Sequence, residues 1–270
     1  MENSWMKRIK LIISYDGTNY VGWQIQKNGI AIEQVINEEL SKLLKEDITI
    51  IGASRTDSGV HALGNVAVFD TNTRIPPEKI MYALNQQLPD DIKIVRSEEV
   101  APDFHPRYTN CRKTYRYDIL NSRVNLPKER LYTDYVYYEL HTDKMKQAAK
   151  YLLGEHDFTA FSSAGGQQKS MVRTIYSLEV TEEAIVMPNG AEKIHPDDFP
   201  AKKVHITITG NGFLYNMVRI IAGTLEKVGM GIYPPEHVKE ILESKDRRKS
   251  APKASADGLT LVEICYENLE

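Results

Sequence analysis

The chain has 270 residues, 41% hydrophobic and 26% charged, with a formal net charge of -3. That length can bury a sizeable core as one large domain or two smaller halves, and the slightly acidic balance excludes a polycation that coats nucleic acid over its whole surface. No apolar run approaches the roughly 18 residues that span a bilayer, so no membrane is expected.

The N-terminal stretch Met1-Glu-Asn-Ser-Trp-Met-Lys-Arg lacks the apolar core and small-residue cleavage site of a secretory signal, which makes the cytoplasm the expected location. Cys111 and Cys265 stand far apart, and the seven histidines show no metal-type spacing. Neither a disulfide framework nor a metal site is indicated.

In chain order, residues 7–14, KRIKLIIS, predict a strand by their β-branched content. Ile32, Val35, Ile36, Leu40, Leu43 and Leu44 recur at helical spacing over 32–46. ITIIGA (48–53) and NVAVFD (65–70) read as strands, Pro76-Pro77 starts a helix that runs to about Gln87, and IKIVRS (92–97) is a strand. The order β-α-β-β-α-β is that of the split βαβ, or ferredoxin-like, unit.

The second half repeats this more loosely. Strands are expected near 112–120 and 132–139, a helix at 143–153, strands near 172–181 and 203–209, helices at 214–228 and 235–244, and a last strand at 259–266. The fold class is therefore α+β: two ferredoxin-like, RRM-like halves with adjoining, largely antiparallel sheets and flanking helices. The boundary is placed near residue 105, where two prolines in APDFHPRY interrupt the pattern, giving halves 1–105 and 106–270. Residues 162–170 and 187–203, rich in Gly, Pro and polar residues, read as mobile loops.

The charge distribution is more telling than its sum. RYTNCRKTYRY (107–117) holds Arg107, Arg112, Lys113 and Arg116 among three tyrosines with no acid, and KDRRKSAPK (245–253) is a second basic run. Basic groups interleaved with aromatics suit a groove that grips phosphates and stacks bases. The other reading is a solvated strand edge and a helix end.

The stretch GASRTDSGVHALGN (52–65) sets Arg55 two residues before Asp57 in a glycine-flanked turn. Asp-Ser-Gly is common turn chemistry, yet a carboxylate beside a guanidinium stays ionised, as a nucleophile or a stabiliser of positive charge must. A glycosidase would need a second carboxylate across the scissile bond, and Asp90-Asp91 and Asp197-Asp198 both sit in loop-like sequence. A Ser54 or Ser58 nucleophile with His61 lacks the strand-turn-helix elbow.

SRTDSGVHALGN is similar to the catalytic motif of the tRNA pseudouridine synthase A family, usually written G-R-T-D-x-G-V-H-A. The resemblance extends in register through YDGTNYVGWQIQ (15–26), NQQLPDDIKI (85–94), FHPRY (104–108), KTYRYDI (113–119), GEHDFTAF (154–161), VRTI (172–175), GFLYNMVRIIAGTL (212–225) and APKASADGLTL (251–261). Ser54 replaces the usual Gly, Ser58 a common Ala, and 187–203 is longer than the usual connection.

The resemblance implies the pseudouridine synthase fold and isomerisation of uridine to pseudouridine in the anticodon stem-loop of tRNA, around positions 38–40, by a homodimer without cofactor or metal. It makes Asp57 the essential carboxylate and leaves open whether that group attacks the ribose, attacks the base or takes a sugar proton. Arg219 corresponds to the active-site arginine that would pair with Asp57, and Tyr115 to the tyrosine that stacks the uracil. Arg55 would order the motif loop or contact RNA. Phosphate contacts would fall to Arg107, Arg112, Lys113 and Arg116, with Arg247, Arg248 and Lys249 as further candidates. A non-catalytic RNA-binding protein and a hydrolase of a glycosidic bond are the competing classes.

Overall fold

Alternate burial of Ile9, Leu11, Ile13 and Tyr15 makes Lys7–Tyr15 a strand with one face in the core, β1 of the computed structural model, which describes residues 6–166 and 169–266. Next come α1 (Ile32–Leu44), β2 (Ile51–Gly52), β3 (His61–Thr71), α2 (Pro77–Asn85), β4 (Ile92–Val100) and β5 (Cys111–Asn121). β6 (Asp134–Val136), α3 (Thr142–Ala149), β7 (Gly154–Asp157), β8 (Val172–Ala184), β9 (Lys202–Gly210), α4 (Met217–Gly229), α5 (His237–Ser244) and β10 (Leu259–Tyr266) complete the chain. Two units form among the described residues: one holds residues 6–111 with 260–266, the other residues from 112 to 259. The last strand thus belongs almost wholly with the first unit.

In the first unit the strands lie in the order β4-β1-β3, all antiparallel, with β2 against β3 and β10 parallel to β3 through Thr260–His61 and Leu261–Ala62. This is the expected β-α-β-β-α-β arrangement. α1 buries Ile32, Ile36 and Leu40 at helical spacing and ends at Lys45, whose left-handed backbone (φ 56°) returns its N–H to the Ser41 carbonyl. α2 starts on Pro77 and buries Ile80 and Leu84.

The strand expected at 48–53 shrinks to two residues for a local reason. Ile48 N–H donates to Ser41 Oγ (3.0 Å) and Ile50 N–H to Asn37 Oδ1 (2.9 Å), so polar side chains of α1 take donors that a ladder would otherwise use.

The second unit is an antiparallel sheet in the order β5-β9-β8-β7, with β6 parallel to β5. Val204, Ile206 and Ile208 alternate inward along β9. The strand expected over 132–139 keeps only three residues, because Asn121 Nδ2 captures the Val136 and Tyr138 carbonyls at 2.9 and 2.7 Å. α4 begins at Met217, not 214, since Asn216 before it is left-handed (φ 60°). β7 was not expected: GEHD is too short and too polar to alternate.

The 187–203 connection is anchored. Arg123 Nε donates to Asp198 (3.0 Å), and its guanidinium lies 4.7 Å from the Tyr137 ring centre and 4.9 Å from that of buried Phe199. Gln167 and Gln168 of the other expected loop lie outside the described residues.

Candidate active site

Asp57 sits half-buried in the irregular segment between β2 and β3, with Thr56 buried before it and Arg55 exposed. Arg55 lies in the same irregular segment, beyond the end of β2. The segment is fixed by the stretch 16–23, which follows β1. Trp23 N–H donates to the Thr56 carbonyl (3.0 Å), Gly59 N–H to the Tyr20 carbonyl (3.3 Å) and Ser58 Oγ to the same carbonyl (3.2 Å). Val60 N–H closes the turn on the Asp57 carbonyl (3.1 Å).

Beneath it, Tyr15 and Thr56 share a hydroxyl hydrogen bond (2.7 Å), while Asn65 Nδ2 donates to the Tyr15 hydroxyl (3.2 Å) and the Ser54 carbonyl (3.1 Å). Gly17 N–H donates to His61 Nδ1 (3.1 Å). Buried polar groups bonded in this way hold one geometry, which is what a reacting carboxylate needs.

Two glycines make that clamp possible. A Cβ on Gly17 would overlap the Val60 carbonyl, and one on Gly22 would stand 2.5 Å from the Thr56 oxygen at a φ of +103°. Gly22→Ala is therefore expected to cost about 3 kcal/mol, from left-handed strain plus a backbone clash. Gly154→Ala, also at positive φ (+93°) but with only the tip of the His156 side chain near its Cβ, at 3.8 Å, is expected to cost only about 1 kcal/mol. Urea unfolding of the two variants checks the difference; equal losses would remove the clash from the account.

In the second unit, Tyr115 is buried on β5 opposite Ile208 of β9, with the Phe213 ring edge-on at 5.2 Å. Arg219 lies in the first turn of α4. Its Nε donates to the Ala254 carbonyl (2.8 Å), Nη1 to Asn216 Oδ1 (3.3 Å), and its own carbonyl accepts from Ala254 N–H (3.0 Å). The reciprocal pair with Ala254 fixes the guanidinium, and Gly223 allows it: a Cβ there would overlap the Pro252 carbonyl.

The 254–255 segment is itself tied down. Ser255 N–H donates to Asp134 Oδ2 (3.1 Å), and the Tyr117 hydroxyl reaches Asp134 Oδ2 (2.8 Å) and the Ser255 carbonyl (2.9 Å). Burial, with Asp134 adding to it, drives the Tyr117 phenol far above its ordinary value, so it stays a neutral donor.

The basic residues do not form one stripe. The pleat sends Arg112 and Arg116 to one side of β5 and Lys113 and Tyr115 to the other. Arg112 lies 4.9 Å over the Tyr176 ring and Arg116 Nε donates to Asp118 (3.0 Å). Arg107 belongs to the first unit, exposed, with Nε on the Gly52 carbonyl at 2.7 Å. In the second run, Arg247 Nη1 donates to the Ser250 hydroxyl (2.7 Å) and the Ala251 carbonyl (3.0 Å), a structural clamp, while Arg248 pairs with Asp246 at 2.8 Å. That arginine holds the Asp246 carboxyl down to about 2.

The block 15–26 holds the Asp57 loop, a task its similarity to the family's block does not state. Its signal was the pair Gly17 and Gly22, spaced to let one backbone lie against another.

A family model described as tRNA pseudouridine synthase matches residues 11–109 and 148–267. The chain belongs to the tRNA pseudouridine synthase A family, whose members are isomerases. It is 48% identical to the tRNA pseudouridine synthase A of Ruminiclostridium cellulolyticum and 45% identical to that of Thermoanaerobacter sp. (strain X514). It is 46% identical to the tRNA pseudouridine synthase A 2 of Clostridium perfringens (strain 13 / Type A). Each alignment covers 97% of this chain and 100% of the relative.

Proposed function

We propose that the protein converts uridine to pseudouridine in the anticodon stem-loop of tRNA, at positions 38–40, as a cytoplasmic homodimer, with Asp57 as the essential carboxylate. The observation that carries this reading is the clamp on the Asp57 loop: six hydrogen bonds and two close glycine approaches fix a short irregular segment that bears one half-buried acid. Rigidity of that kind in irregular backbone is what a positioned reacting group requires and what a plain turn does not.

The reaction asks little beyond positioning. The N1–C1′ bond breaks, the uracil turns, C5 joins C1′, the C5 proton leaves and N1 takes up a proton. Atoms and electrons balance without an external acceptor, so no cofactor is required. Asp57 acts as nucleophile on the ribose or the base, or as base toward a sugar proton. Tyr115 offers a ring face to the extruded uracil, and Arg219 contributes fixed positive charge to the carboxylate. Arg55, Arg107, Arg112, Lys113 and Arg116 are proposed to meet RNA, with Arg112 and Arg116 sharing their charge with protein partners.

Incubation with an unmodified tRNA transcript carrying uridine at 38–40 tests the proposal. Pseudouridine mapped to those positions is expected. Free uracil would make the protein a hydrolase, and an unchanged transcript would leave an RNA-binding protein.

A further inference from the structure

Among the described tyrosines Tyr108 is the most exposed, at 82%. Four other exposed tyrosines have a face or an edge against a cation or a second ring: Tyr82 lies under Lys79 (5.5 Å), Tyr176 under Arg112 (4.9 Å), and Tyr137 meets Arg123 (4.7 Å) and the edge of Tyr138 (5.5 Å). Tyr108 instead stacks one face on His105, with ring centres 4.2 Å apart and planes at 25°, and turns most of its remaining surface outward.

The turn that carries this pair is held from several sides. The Phe104 carbonyl accepts from Arg8 Nη1 (3.1 Å), and its buried ring meets Tyr266 edge-on at 5.0 Å. The Pro106 carbonyl accepts from the Tyr266 hydroxyl (2.9 Å). Arg107 N–H donates to His105 Nδ1 (3.2 Å), which fixes the imidazole, and the N–H groups of Tyr108 and Thr109 both return to the His105 carbonyl at 3.1 and 3.0 Å. Through Arg107 Nε the turn is bonded to Gly52, five residues before Asp57.

A mobile loop exposes a tyrosine at no cost. A turn fixed this firmly that still presents a flat ring to solvent, with a guanidinium beside it, is a prebuilt platform, because ordering has been completed before a ligand arrives. The matching ligand is flat, aromatic and attached to negative charge: an unpaired nucleotide.

We infer that the His105–Tyr108 stack is a base-stacking subsite of this enzyme, taking an unpaired base of the RNA substrate while Arg107 meets its phosphate. The inference rests on the proposed function for the identity of the RNA. Extruding a uridine leaves neighbouring bases without their stacking partners, and a platform bonded to β2, the strand that leads into the Asp57 loop, is suited to receive one.

The test uses the full chain and an unmodified tRNA transcript. Tyr108→Ala and Tyr108→Leu are expected to raise Kd and KM about tenfold, as loss of one stacked base does, while Tyr108→Phe retains wild-type values. Thermal melting of all three should match the wild type, since the side chain is mostly exposed. Ala and Leu variants within twofold of wild type in Kd and KM would overturn the inference, as would a Phe variant as weak as Ala, which would assign the effect to the hydroxyl. If the wild type binds tRNA but forms no pseudouridine, the proposed function fails instead, and the Kd series still reads the stack.

Discussion

Asp57→Asn is expected to slow single-turnover pseudouridine formation on the order of 10⁴-fold while leaving tRNA affinity within about threefold. The amide has nearly the shape of the carboxylate but neither its negative charge nor its basicity, so it cannot attack carbon or accept a proton from the sugar. The loop is held by backbone bonds from Trp23 to Thr56, Gly59 to Tyr20 and Val60 to Asp57, none of which uses the Asp57 side chain. Quench-flow rates beside filter-binding constants separate the two effects, and a variant within tenfold of the wild-type rate would refute the assignment.

Glu226→Gln is expected to stabilise the protein at neutral pH and more so in mild alkali. Glu226 is buried on α4, and its Oε1 has no hydrogen-bond partner. Burial first, then the negative field of Asp134, pushes its carboxyl up to about 8, with Lys227 opposing weakly. The sign follows from proton binding. Below about pH 4.5 the folded and unfolded chains both hold the proton and nothing is lost. Above it the unfolded chain ionises while the folded one does not, so stability falls by about 1.4 kcal/mol per pH unit until the folded group also ionises near 8.

At pH 7 the deficit is about 3 kcal/mol, and glutamine, which cannot ionise, removes it at the cost of one buried amide of about 1 kcal/mol. The net gain is then about 2 kcal/mol, larger at pH 8.5 and reversed near pH 4.5. Urea midpoints of both proteins across that range test this; parallel pH profiles would show that Glu226 does not titrate as its surroundings require.

The alternating strands and the Pro-initiated α2 were legible because each states its own periodicity. β2 was not, since the bonds that displace its ladder come from Ser41 and Asn37, polar residues of a helix that precedes it. The acid at 57 was legible as a motif, whereas its clamp depended on where Gly22 lies in space. Composition placed Arg112, Lys113 and Arg116 together, but a strand's pleat divides neighbours between two faces. Arg247 read as a further candidate for phosphate contact, whereas its guanidinium is a half-buried clamp on residues 250–251. Glu226 drew no notice because α4 looks amphipathic in sequence, while most of its residues, Gly223 to Glu226 included, are buried.

Isomerisation differs from every rival at one atom, the hydrogen on uracil C5. A tRNA transcript labelled with tritium at C5 of its uridines, incubated with the wild-type protein, should release label to water in proportion to the uridines at 38–40, with no free uracil, and Asp57→Asn should release none on the same time scale. Retained tritium with the wild type, or label appearing in free uracil, would contradict the account.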